Sequence, residues 1–155
     1  MAIIESRLKT LGITLPASPR PIGNYVPAVQ IHDFLYLSGV GPAPSSDGVE
    51  YLGTVDINLT LDEAYQAARL VGINLIARLK DELGDLDRVR RIVKLLSMVN
   101  SSPDFCEQPA VANGCADLLV EVFGDRGRHA RSAVGVAALP GNIPIEIEMI
   151  VQVDN

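Results

Sequence analysis

A chain of 155 residues, 48% apolar and 21% charged with no tryptophan, has the composition of one globular domain able to bury roughly 68–70% of its unfolded surface. No stretch approaches the ~20 consecutive apolar residues of a membrane helix. The N-terminal residues include Glu5, Arg7 and Lys9 and lack a secretory apolar region, so a cytoplasmic protein with no membrane association is expected. The net charge of −6 repels phosphate backbones, and the run Arg88-Val-Arg90-Arg91 is too short to offset it, which disfavours nucleic acid as a primary ligand.

Residues 3–12 read as a short amphipathic helix, with Ile3, Ile4, Leu8 and Leu11 apolar and Gly12 as its stop. Pro16, Pro19, Pro21 and Gly23 then predict a stiff loop. The stretch 26–39 reads as two short strands around a tight turn at His32-Asp33, followed by a loop over 41–48. Thr60-Leu-Asp-Glu63 is a capping box that opens the clearest helix, with apolar residues at helical spacing until Gly84. Gly72 in its middle points to close packing on a sheet. The stretch 90–101 reads as a strand, and Ser102-Pro103 opens a second helical region with its body at 108–123. Two strands, 129–137 and 144–153, close the chain and are expected to pair as a hairpin across 139–144.

The order β-β-α-β-α-β-β predicts a single α+β domain, a mixed sheet with two helices on one face. The other face then meets water or a partner. On the last strand Ile145, Ile147, Met149, Val151 and Val153 share one face and Glu146, Glu148, Ile150 and Gln152 the other. The preceding strand carries Arg131, Ala133 and Gly135 on one face. A second face combining Arg131, Glu146 and very small side chains leaves room for another subunit or a small ligand, and self-association is expected.

Cys106 and Cys115, nine apart on one expected helix, point along different faces, which predicts two buried thiols and neither a disulfide nor a metal pair. The two histidines, His32 and His129, have no ligand spacing, so no metal site is expected. Arg131 is either a solvated strand residue or a bidentate fork for a carboxylate. Glu146 is either solvated or a general base, with Glu148 on its face able to raise its pKa. Tyr25 follows a Pro/Gly loop, Ser38-Gly39 ends a strand, and Asn113-Gly114 is out of place inside a helix.

Taken together these residues resemble the RidA/YjgF family of reactive-intermediate enamine/imine deaminases. The resemblance is carried by Arg131-Ser132, Val134, Ala137, Leu139-Pro140 and Ile145-Glu146-Ile147 in order and spacing, and by Tyr25 and Ser38 upstream. It covers residues 18–155 as a RidA-like domain and leaves 1–17 as an N-terminal helix and extension. It implies a chorismate-mutase-like fold and a homotrimer with clefts between subunits. It also implies hydrolysis of 2-imino acids to 2-keto acids and ammonia without a cofactor. In that reading Arg131 binds the substrate carboxylate, Glu146 activates water, and Tyr25, Ser38 and Asn113 line the pocket. Ala133 stands where many family deaminases have cysteine, and His129 where proline is common. The alternatives are a trimeric small-carboxylate-binding or regulatory protein without turnover and, disfavoured by charge, an endoribonuclease or translation inhibitor.

Overall fold

The computed structural model describes residues 2–18, 20–43 and 48–154; Pro19 of the expected proline loop and residues 44–47 of the expected 41–48 loop lie outside them. The chain runs α1 (Ile3–Thr10), β1 (Ala28–Ile31), β2 (Phe34–Val40), α2 (Leu61–Leu83), β3 (Val89–Asn100), α3 (Gln108–Phe123), β4 (Ala130–Val136) and β5 (Ile145–Val153), with 3-10 turns at Leu86–Arg88, Gly124–Gly127 and Pro140–Asn142. The five strands form one mixed sheet in the order β1-β2-β5-β3-β4, and the expected α+β architecture is present. Among the described residues no helix is long and apolar enough to cross a membrane.

Local chemistry sets the helix ends. The Thr60 hydroxyl accepts from the Glu63 amide at 3.2 Å, and the Glu63 carboxylate accepts from the Thr60 amide at 2.8 Å. This is the capping box read from the sequence. α2 ends at Gly84, whose φ of 72° falls in the left-handed region that glycine adopts without strain. α1 has no side-chain cap of its own. Asp87, from the turn before β3, accepts instead from the amides of Ile3 (2.7 Å) and Ile4 (2.9 Å). That bond docks α1 so that Ile4 and Leu8 enter the core.

The final strands do not form the expected hairpin. β4 runs parallel to β3 as the product of the β3–α3–β4 crossover, whereas β5 pairs antiparallel with β3 on its other side. The connection over 137–144 is too long for a tight hairpin and steps across the end of β3. There the Asn100 amide donates to the Pro144 carbonyl at 2.9 Å. The helices cover one face, where Leu95, Ile145, Ile147 and Val151 are fully buried. On the other face Tyr36 and Val134 are each 43% exposed.

Gly72 packs on α3 and not on the sheet: a Cβ there would lie 2.8 Å from Leu118 and 3.3 Å from Cys115. Gly114 plays the reciprocal part, since its Cβ would collide with the Tyr65 carbonyl of α2. The glycine that looked misplaced in α3 is therefore a helix–helix contact. Cys115 is buried as expected. Cys106 is exposed, because the chain is still irregular there and α3 begins only at Gln108.

Candidate functional site

A cleft of about 760 Å³ opens around Glu146 and Glu148 and is walled by residues 20–25, 38–43, 50–52 and 140–143. Its shape is imposed by a few polar ties. The Ser38 hydroxyl donates to the Val26 carbonyl at 2.7 Å, and the Ser38 amide to the Pro27 carbonyl at 2.9 Å, which holds the Tyr25 loop against β2. Register slips between Leu37 and Val40, so Ser38 and Gly39 sit in an irregularity opposite β5. The buried Asn74 of α2 donates to the Gly41 carbonyl at 3.1 Å. The buried Asn100 at the end of β3 donates to the carbonyls of Gly53 (3.4 Å) and Ile143 (3.3 Å), and the Gly53 amide to the Asn142 carbonyl at 2.7 Å.

Glu146 is the chemically distinctive group in this cleft. It is half-buried and has no hydrogen-bond or ion-pair partner among the described residues. Burial, and then the neighbouring Glu148, hold its carboxyl above the usual carboxylate range. Gly39 gives the carboxylate its place, because any Cβ there would collide with Glu146 Oε1. A carboxylate without a partner and with raised basicity is suited to accept a proton from water or a substrate. Tyr25, Ser38 and Glu146 thus come together at one cleft.

Arg131 does not join them within the chain. On β3, Leu95 pairs with Arg131 of β4, while Met98 pairs with Glu146 of β5. Residues 95 and 98 are three apart, and side chains alternate with period two, so Arg131 and Glu146 lie on opposite faces of the sheet. The sequence-based expectation of one shared face is therefore corrected. Ala133 and Gly135 lie on Arg131's side. A Cβ on Gly135 would stand 2.9 Å from Gln108 Nε2. Arg131 Nη1 donates to Asn113 Oδ1 at 2.8 Å, and no carboxylate among the described residues pairs with this half-buried guanidinium. That leaves most of its fork available to an outside acceptor.

Two titratable groups flank Arg131. His129 Nδ1 lies 2.7 Å from the Gly127 carbonyl, so Nδ1 carries the proton that it donates there. Burial lowers its pKa, the Gly127 bond acts against that, and the Arg131 charge lowers it further, so the imidazole is neutral near pH 7. Burial pushes the Cys115 thiol up to about 12, with Arg131 pulling the other way. Cys115 is thus an inert packing thiol.

Among the described residues one carboxylate group converges, Glu5, Asp85 and Asp87. Its oxygens accept from the amides of Ile3, Ile4, Leu86 and Asp87 and from Lys80, and none of the three lines the cleft. It is a clamp for α1.

The sequence reading passed over Asn74, Asn100 and Arg78. Arg78 is 4% exposed, lines the cleft, and donates through Nε to the Ser18 hydroxyl at 2.7 Å. A usable signal was present: Asn74 and Arg78 stand four apart in the otherwise apolar stripe of α2.

Residues 5–151 match the protein family described as "YjgF/chorismate mutase-like, putative endoribonuclease". The chain is 44% identical over 153 residues to protein TCP17 of Trypanosoma cruzi, covering 98% of this chain and 95% of that one. It is 33% identical over 139 residues to the 2-iminobutanoate/2-iminopropanoate deaminase of Mus musculus, covering 89% of this chain and 87% of that one. The crystal structure of Atu1372 from Agrobacterium tumefaciens, a protein of unknown function, superposes with a TM-score of 0.90 at 43% identity, over 98% of this chain and 93% of that one.

Proposed function

This chain belongs to the RidA/YjgF family, and from that premise we propose that it hydrolyses reactive 2-imino acids to 2-keto acids and ammonia. The observation that carries the reading is Glu146, a half-buried carboxylate of raised basicity facing a cleft, with Gly39 leaving it room. In the reaction Arg131 holds the substrate carboxylate through two parallel N–H bonds. The imine carbon is already electrophilic, so the chemistry needs no cofactor. Glu146 takes a proton from water as the oxygen bonds to that carbon and the C=N π electrons move to nitrogen. That proton passes to the nitrogen to give the carbinolamine; Glu146 then takes the hydroxyl proton and returns it to the amine, the C–N bond breaks, and ammonia leaves as the carbonyl forms.

One chain cannot place one substrate between Arg131 and Glu146, because the sheet separates them. The reading therefore requires the Arg131 side of one copy to meet the Glu146 cleft of another. A cyclic trimer with three composite clefts is the assembly we propose, in keeping with the family's architecture. The uncovered face supports it: Val29, Tyr36 and Val134 are large, apolar and exposed there, and such a face on a single copy calls for a partner.

Ala133 supports a second reading, in which the same cleft binds small carboxylates without turnover. The two readings separate in one assay. An amino-acid oxidase generates imino acid, and its decay to keto acid is followed with and without the protein. Acceleration that vanishes in Arg131→Ala supports the deaminase; protection by carboxylates with no acceleration supports the binding protein.

A further inference from the structure

We propose that Arg78 is a positioning residue: it fastens the N-terminal arm at Ser18 and so sets how Tyr25 stands at the cleft. That Tyr25 lines a substrate pocket rests on the deaminase reading above. Its placement rests on the clamp itself, which lies within one copy of the chain.

A guanidinium in the apolar stripe of α2 is costly to bury unless its N–H groups are bonded, and Arg78 is 4% exposed. Its Nε donates to the Ser18 hydroxyl of the arm at 2.7 Å. The arm differs on the two sides of that bond. Upstream, Ile13 and Leu15 pack against the core, and Asp87 docks α1. Downstream, Arg20, Ile22 and Tyr25 line the cleft, yet Ile22 is 94% and Tyr25 48% exposed. The arch over 20–25 therefore has little packing of its own to hold it. Among the described residues its own hydrogen bond runs from the Tyr25 amide to the Gly23 carbonyl at 3.0 Å.

The next fixed point is Val26, whose carbonyl accepts from the Ser38 hydroxyl at 2.7 Å. A tie at Val26 alone leaves the arch free to pivot about it; the second tie at Ser18 fixes the direction in which the arch leans. The Tyr25 ring follows that direction because it lies against the arch: a Cβ on Gly23 would stand 3.5 Å from its Cδ1 and Cε1. Pro21, with its φ locked by the ring, limits the slack between Ser18 and Tyr25. The frame for the clamp is α2, which also holds the opposite wall. One helical turn before Arg78, the buried Asn74 donates to the Gly41 carbonyl at 3.1 Å. One helix thus sets two walls of the cleft, through side chains four residues apart on one stripe.

The test uses the full chain labelled with 3-fluorotyrosine, whose four tyrosines give separate fluorine resonances. Tyr25→Phe assigns the Tyr25 line, and Tyr65 of α2 serves as the internal reference. Arg78→Met removes the donor and Ser18→Ala the acceptor. Both are expected to shift or broaden the Tyr25 line and leave the Tyr65 line in place. Chymotrypsin cleavage after Tyr25 should rise about fivefold or more in both, as the freed arch becomes accessible. Ser18→Thr keeps the hydroxyl and should restore the wild-type line and cleavage rate. If Arg78→Met does not fold, Ser18→Ala and Ser18→Thr decide the matter. An unchanged Tyr25 line overturns the proposal, and so does a movement of all four lines together, which marks a general loosening of the fold. Turnover of imino acid made by an amino-acid oxidase is scored separately: KM should rise about threefold or more with kcat within about twofold. Turnover with KM unchanged overturns the positioning role. A wild-type protein without turnover defeats the deaminase reading and leaves the clamp to be decided by the Tyr25 line.

Discussion

Arg131 and Glu146 stand on opposite faces of the same sheet, with β3 between their strands. Leu95 of β3 pairs with Arg131, and Met98 pairs with Glu146. The parallel β3–β4 register puts Arg131 beside α3, where it bonds Asn113 at 2.8 Å; the antiparallel β3–β5 register puts Glu146 on the uncovered side. Among the described residues the guanidinium pairs with no acid and the carboxylate with no base, so each is half of a pair. The proposed chemistry asks for both at one substrate, so under that proposal the separation itself argues for a site built from two copies.

Arg131→Ala and Arg131→Lys should both abolish imino-acid turnover. The planar fork that can hold a carboxylate while bonding Asn113 is not reproduced by an ammonium. Neither substitution should unfold the chain, because among the described residues no ion pair depends on Arg131. Turnover measured beside far-UV circular dichroism checks both statements, and a lysine variant with wild-type rate contradicts the bidentate role.

Glu146 must be ionised to accept a proton, so kcat/KM should rise with pH along a limb above the ordinary carboxylate range. Glu148 contributes to that displacement, so Glu148→Gln should move the limb to lower pH. Glu146→Gln should keep ligand binding and lose about 10²-fold or more in rate. The linkage sign gives an independent readout. A folded pKa above the unfolded one contributes stability only at low pH, and that contribution is lost as pH rises through the folded value. Glu146→Gln should therefore be more stable than wild type at pH 7 and not at pH 4, as measured by urea denaturation.

Gly39 and Gly114 are both forbidden a Cβ, but by different neighbours. At Gly39 the obstacle is the end of the flexible Glu146 side chain, and at Gly114 it is the Tyr65 backbone carbonyl. Gly39→Ala should leave the melting temperature nearly unchanged while lowering turnover, because the carboxylate swings aside. Gly114→Ala should force α2 and α3 apart and cost about 1–3 kcal/mol of stability. Thermal melts and rates on the two variants should move in these opposite patterns.

Asp87 caps α1 from outside the helix. Its pKa is lowered, first by the Ile3 amide, against a smaller opposing effect of burial, and further by the Ile4 amide and Arg126. A lowered folded pKa gives stability that is present above the unfolded value and lost as pH falls through the folded one. Asp87→Ala should cost about 1 kcal/mol, in the range of lost helix caps. The difference from wild type should shrink on acidification, and hydrogen exchange should show α1 opening first.

The element order and the α2 capping box were legible because they rest on local signals: helical periodicity, Thr60 with Glu63, and strand alternation on β5. Sheet order was not. Whether β4 pairs with β5 or lies outside β3 depends on where α3 crosses, which no local pattern in 129–153 encodes. The face of Arg131 follows from that order, so it was misplaced with it. Gly135 looked like vacated space for a ligand, whereas the Gln108 side chain stands against it. Cys106 was misread because the helix was begun before its actual start at Gln108. The cleft residues Tyr25, Ser38 and Glu146 stood out singly in the sequence and were joined into one pocket only by the family resemblance; Asn74 and Asn100, which shape the cleft from behind, carry no motif and show themselves only by being polar and buried.

The most direct test of the composite site is complementation between two inactive variants. Arg131→Ala retains Glu146, and Glu146→Gln retains Arg131; each is purified alone, and the two are also co-expressed in equal amounts. If each site takes Arg131 from one copy and Glu146 from another, about one cleft in four of the mixed assembly has both groups intact, and about a quarter of wild-type turnover should return. Mixed assemblies that form and remain as inactive as either variant alone would contradict the account.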